Sequence, residues 1–150
     1  AIEHTLGTSP TLAVDIWYHT EFSWDGGNVQ ISTDGGENWE VITPDGGYPD
    51  DAVVGLDNEP GYTGTSGDGE TSSWETANFN LGNYSGEDVR FKFRFGTDSS
   101  VNTYEGWYID NFQIKEGITT EYEDDFEDGD GDWGSDVVLS EWNYHNVEDE

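Results

Sequence analysis

Leu12, Val14, Ile16 and Tyr18 alternate with Thr11, Ala13, Asp15 and Trp17, the period of two expected of a strand with one face in a core. Val29 and Ile31 follow Asp25-Gly26-Gly27-Asn28, and Trp39, Val41 and Thr43 follow Asp34-Gly35-Gly36-Glu37. A third Asp-Gly-Gly opens at Asp45. Asp-Gly steps between alternating runs are hairpin signals, because glycine supplies positive φ; the three repeats predict a meander with shared turn chemistry. Residues 44–73 read as a long loop with one apolar cluster, Ala52, Val53 and Val54. Strands resume at Ala77, Phe79 and Leu81, then at Val89, Phe91, Phe93 and Phe95. Further strands are expected over 106–115, 118–126 and 137–147. Helical periodicity is missing throughout. The pattern predicts roughly eight to ten strands and an all-β fold, a two-sheet antiparallel jelly-roll sandwich.

At 150 residues the chain is the size of one domain. Its 22 aromatic residues (7 Trp, 8 Tyr, 7 Phe) predict a folded core in spite of the polar average. The net charge of -30, from 34 acids against 4 bases, makes the compact state repel itself unless cations neutralise it. Adaptation to high salt and many bound metal ions both fit. Nucleic acid and anionic membranes do not, because both need basic patches. No apolar run approaches the ~20 residues of a membrane-spanning helix. With no Met in the sequence, Ala1 is expected to follow a processed precursor, most simply one that lost a signal peptide on secretion.

Hard cations take six to eight oxygen ligands, and alternate carboxylates on a glycine backbone can converge on one ion. Asp128, Asp130, Asp132 and Asp136 fall in such a run, which points to calcium; a solvated acidic turn is the plainer reading. Asp45, Asp50, Asp51, Asp57 and Glu59 bracket the middle loop, where an ion would supply order that the sparse apolar content does not; a mobile acidic loop fits the same residues equally well. Asp110 stands beside Ile109 in an aromatic strand, where a lone buried carboxylate is costly. Arg90, Lys92 and Arg94 share one face of one strand, opposite Val89, Phe91, Phe93 and Phe95. Cross-strand pairing with acids is their plain role. Residues 121–150, with 13 acids and no base, are the sharper candidate partner. The three His residues have no ligand spacing and there is no Cys, so no zinc site is expected. Among 34 acids, carboxylate pairs say nothing about glycoside hydrolysis. Trp17, Trp24, Trp107, Tyr108, Trp133 and Trp142 are expected in the core or at sheet edges, with exposed ones able to stack on sugar rings.

Three stretches together carry a resemblance: residues 25–39, residues 77–98, and Gly106-Trp-Tyr-Ile-Asp-Asn-Phe-Gln-Ile114. They resemble the MAM-like jelly rolls of secreted prokaryotic proteins, a group with the C-terminal region of immune-inhibitor-A-type metallopeptidases and the cleaved-adhesin domains of gingipains. The resemblance implies a calcium-binding sandwich with adhesive or accessory roles outside the cell and no catalysis of its own. It also implies that Asp110 lies near a calcium site with Glu127. The family's opening pattern, an acidic Phe-Glu strand and a glycine-rich turn with Trp, stands here at the end, as Asp125-Phe126-Glu127 through Trp133 and then Trp142. The chain therefore looks circularly permuted: a body over 1–120, and a segment over 121–150 that supplies the opening strands.

That segment can close its own sheet, or it can complete a neighbour's by strand donation, which propagates head to tail. In the second case Phe126, Trp133 and Trp142 make the contact and Arg90, Lys92 and Arg94 receive the acidic tail. The expectation is a non-catalytic, calcium-stabilised structural or adhesive subunit at the cell surface, self-associating if the tail is donated. A carbohydrate-binding or adhesin accessory module of a larger secreted protein is the alternative.

Overall fold

The computed structural model describes residues 3–67, 69–98, 104–127 and 133. Ten strands follow in order: β1 (Glu3–Thr5), β2 (Pro10–His19), β3 (Gly26–Ser32), β4 (Glu40–Ile42), β5 (Asp50–Val53), β6 (Glu59–Gly61), β7 (Glu75–Asn80), β8 (Asp88–Gly96), β9 (Gly106–Glu116) and β10 (Thr119–Asp124). They form two four-stranded antiparallel sheets, β1-β8-β3-β4 and β10-β9-β2-β7, with β5 and β6 paired apart from them. The all-β sandwich expected from the alternation is what forms. Leu12, Val14, Ile16 and Tyr18 of β2 point inward with Ala77, Phe79, Trp107, Phe112 and Ile114, and meet Val29, Ile31, Val89 and Phe91 of the other sheet in one core. Burying each large apolar side chain contributes about 1.5–3 kcal/mol, so this layer dominates the stability.

Of the three expected meander steps only one joins neighbouring strands: Asp45-Gly46-Gly47, although a turn at positive φ, links β4 to β5 of a separate sheet. Asp34-Gly35-Gly36 does turn β3 into β4, with both glycines at positive φ. Asp25-Gly26-Gly27 does not turn one strand onto the next, because β2 and β3 lie in different sheets. Gly26 and Gly27 are buried inside β3 and are not at positive φ. They are glycine because nothing larger fits: a Cβ at Gly27 would stand 2.2 Å from the Trp107 indole, and one at Gly26 2.4 Å from the Tyr62 carbonyl oxygen.

Residues 44–73 are also more structured than their composition suggests, holding β5, β6 and a 3-10 turn at Val54–Leu56. Tyr62 and Gly27 exchange backbone hydrogen bonds of 2.7 and 3.0 Å. The Tyr48 hydroxyl donates to the Ile42 carbonyl at 2.6 Å, and its ring packs on Tyr62 at 4.9 Å. Arg94 holds the far side, pairing with Asp57 at 2.6 Å and Glu59 at 2.7 Å.

The other two bases of β8 also find partners within the chain. Arg90 stands opposite Glu3 of β1, 4.0 Å from its carboxylate, and the Lys92 ammonium sits 4.6 Å from the centre of the Trp39 ring. Trp133 packs on Phe112, Phe93 and Phe126 of its own chain, with ring centroids 4.9, 5.7 and 6.1 Å away. Trp142 lies outside the described residues, as does the strand expected over 137–147.

Candidate metal centre

β3 and β8 end side by side, with Gly26 paired to Gly96. Asp25, just before β3, is thereby brought next to Asp98, just after β8. The link from β2 to β3 supplies a third acid: the Glu21 carbonyl accepts the backbone N–H groups of Trp24 and Asp25 at 3.1 and 3.0 Å, coiling the chain so that Glu21 returns over Asp25. One ligand oxygen from each of Glu21, Asp25 and Asp98 can be chosen so that all lie within 4.8 Å of one another. Two ligands about 2.4 Å from one calcium ion stand at most about 4.8 Å apart. The three carboxylates are therefore spaced to share a hard cation.

The loop is held before any ion arrives. Thr63 donates its hydroxyl to the Asp25 carbonyl at 2.6 Å, and Thr20 donates to the same oxygen at 2.9 Å. Ser23, at positive φ, donates its hydroxyl to Asp50 at 2.5 Å. Gly55 donates its N–H to the Trp24 carbonyl, and a Cβ there would fall 2.6 Å from the Gly96 carbonyl oxygen. Five segments thus converge on one acidic pocket.

Its electrostatics are unfavourable without a cation. Asp25 is 1% exposed. Its Oδ1 accepts the Asp98 backbone N–H at 2.9 Å, whereas Oδ2, and Oε1 of Glu21, are buried with no hydrogen-bond partner. A buried carboxylate oxygen without a donor costs several kcal/mol. Burial, opposed by the Asp98 N–H and reinforced by the charges of Asp98 and Glu21, raises the Asp25 carboxyl from its ordinary 3.8 to about 6. A divalent cation would replace the missing donors and reverse the sign of the local field.

None of these three residues was among the expected ligands. Of those that were, Asp50 supports the pocket through Ser23, and this hydroxyl, ahead of the Ala52 N–H, holds its carboxyl below the ordinary value. Asp57 is committed to Arg94. Asp45 and Asp51 are exposed and join no cluster of three among the described residues. Asp110 is not buried: it lies half-exposed on the outer face of its sheet, opposite Asp15, and accepts the Asn111 N–H at 2.8 Å. Glu127 is exposed. Neither Asp110 nor Glu127 belongs to a cluster of three among the described residues. Asp128, Asp130, Asp132 and Asp136 lie outside the described residues. Nothing local separates the Asp25-Gly-Gly step from the two true turns; its distinguishing mark is Glu21 four residues earlier.

Comparison with known proteins places the chain. The profile of the family described as "Immune inhibitor A-like, MAM domain" matches residues 1–136. Bacillopeptidase F of Bacillus subtilis (strain 168) is 28% identical over 100 residues, which is 67% of this chain and 5% of that protein. The chain therefore corresponds to a small fraction of that relative's length. No helix among the described residues is long and apolar enough to cross a membrane.

Proposed function

This chain belongs to the immune inhibitor A-like MAM domain family, and from that premise we propose that it is a non-catalytic, calcium-stabilised accessory module of an extracellular protein. The observation that carries the reading is Asp25, a buried carboxylate with one oxygen unpartnered and two further acids beside it. Calcium bound by Glu21, Asp25 and Asp98 ties the end of β3–β8 to the β2–β3 link and so fixes the loops around it. With a net charge of -30, the fold also gains from any cation it binds, through reduced self-repulsion. Medium outside the cell offers calcium at the concentrations that weak, carboxylate-built sites require.

The test is thermal unfolding in calcium and in EDTA. A clear rise in Tm with calcium, saturating with ion concentration, supports the module as described. Equal melting in both removes the metal from it.

The reading extends to head-to-tail assembly through residues 121–150. The Phe93–Phe112 surface that takes Trp133 is the same in every copy, so a tail exchanged between copies makes an identical contact. Light scattering of the chain in calcium tests this; a monodisperse monomer removes the assembly and leaves the module.

A further inference from the structure

The sheet face turned away from the core carries a row of aromatic side chains that lie outside the core cluster. β2 aligns Trp17 with Tyr108 of β9, their ring centroids 5.5 Å apart and nearly edge to face. On its other side β2 pairs Ile16 with Glu75, the first residue of β7. Beyond that pair the Ser72 hydroxyl donates to the Tyr18 carbonyl at 2.5 Å, so the chain keeps running beside β2 and Trp74, just before β7, comes level with Trp17. Two positions along β2 from Trp17, His19 packs on Tyr104 at 4.8 Å. Trp74 is 54% exposed, Tyr104 40% and Tyr108 39%, whereas the inward residues of the same strands, Ile16, Tyr18 and Trp107, fill the core. Large aromatics grouped on a solvent face mark a contact surface far more often than scattered ones do.

Polar groups border the row on the side away from His19. Asp15 is opposite Asp110 and is fixed by two donors, the Thr76 hydroxyl at 2.6 Å and the Asn111 amide at 2.8 Å. Strands lie about 4.8 Å apart, and alternate residues along one are about 7 Å apart. Trp74, Trp17 and Tyr108 therefore span about 10 Å, with a parallel line of fixed carboxylates one side-chain step away.

Charge narrows the choice of ligand. Nucleic-acid bases stack on such rings only where basic groups meet the phosphates. Here Asp15 and Asp110 border the row, and the sheet's sole lysine or arginine, Lys115, is paired with Thr11 towards the opposite end of β2. Acidic glycans are repelled by these local carboxylates on the same ground. A ligand that offers apolar ring faces to indole and phenol, hydroxyl donors to carboxylates and no negative charge satisfies every feature. We propose that the outer face of β7-β2-β9 is a binding platform for a neutral polysaccharide, stacked on Trp74, Trp17 and Tyr108 and hydrogen-bonded by Asp15 and Asp110. None of these residues belongs to the carboxylate cluster, so the platform stands or falls apart from the metal reading.

The probes are neutral cello-, xylo- and chito-hexaoses, with hyaluronan as the acidic contrast, titrated into the whole chain and followed by tryptophan fluorescence and calorimetry. Saturable binding of at least one neutral hexaose is expected, with none of hyaluronan. Trp74→Ala and Tyr108→Ala should each weaken it about tenfold or more while leaving Tm nearly unchanged, since both side chains face solvent. Trp24→Ala, an exposed aromatic on the β2–β3 link, should bind like the parent chain. Failure of every neutral hexaose at millimolar concentration overturns the proposal. So does affinity that survives both substitutions, or equal binding of hyaluronan, or selective capture of a proline-rich peptide by the same face.

Discussion

The backbone N–H of Asp98 donates to Oδ1 of Asp25 across 2.9 Å, and this one bond leaves the other oxygen of a carboxylate that is 1% exposed without a donor. The two residues are 73 positions apart and meet only because Gly26 pairs with Gly96. A site built this way is rigid in its backbone and incomplete in its charge, which is the condition under which a cation contributes most.

Asp25→Asn therefore separates the two consequences of that charge. Without metal the variant should melt no lower than the parent, because the amide removes a buried charge near two others. Its calcium-dependent rise in Tm should largely disappear. A parent-sized calcium response in Asp25→Asn, and again in Asp98→Asn, would place the ion elsewhere.

The raised carboxyl of Asp25 predicts a pH dependence with a definite sign. Its folded-state value of about 6 lies above the ordinary 3.8, so the metal-free fold holds a proton that the unfolded chain releases. The associated stability is full below about pH 4 and is lost as pH rises through about 6, a change on the order of 3 kcal/mol. Calcium needs the deprotonated form, so its affinity should increase over the same interval. Denaturant unfolding in EDTA at pH 4.5 and 7, repeated with Asp25→Asn, isolates this contribution from the background of the other acids.

Gly27→Ala should be among the most damaging single-methyl substitutions in the chain. The added Cβ would lie 2.2 Å from an indole that is itself buried between the sheets, and overpacking of this kind costs about 1–3 kcal/mol or more. Gly46→Ala provides the contrast. Nothing stands within 4 Å of that position, and only its positive φ opposes the substitution, so a loss of about 1 kcal/mol is expected. Equal losses at the two sites would contradict the packing account.

Trp133→Ala removes rings from the Phe93–Phe112 contact and should cost about 2–3 kcal/mol for a half-buried indole. The dependence of Tm on protein concentration then distinguishes the two closures. A contact within one chain gives none, whereas an exchanged contact makes the parent more stable at higher concentration.

The sequence by itself determined the architecture, because strand alternation needs only a local period. Leu12 through Tyr18 announce which side of β2 is buried, and Val89 through Phe95 do the same for β8. It also set the acidity, a net charge of -30, whose self-repulsion any bound cation would reduce. The β3–β4 turn was readable for the same local reason, since Gly35 and Gly36 act through their own φ angles. Tertiary structure decided everything that depends on which strands are neighbours. Gly26 and Gly27 carry the same letters as a turn, yet they serve close approach to Tyr62 and Trp107, a constraint set by residues 35 to 80 positions away in the chain. Asp57, an expected ligand, is taken by Arg94, while Glu21, Asp25 and Asp98 are gathered by the β3–β8 register. Among 34 acids, composition cannot choose three; only the pairing of strands, through the long-range packing of their side chains, brings particular carboxylates within reach of one ion.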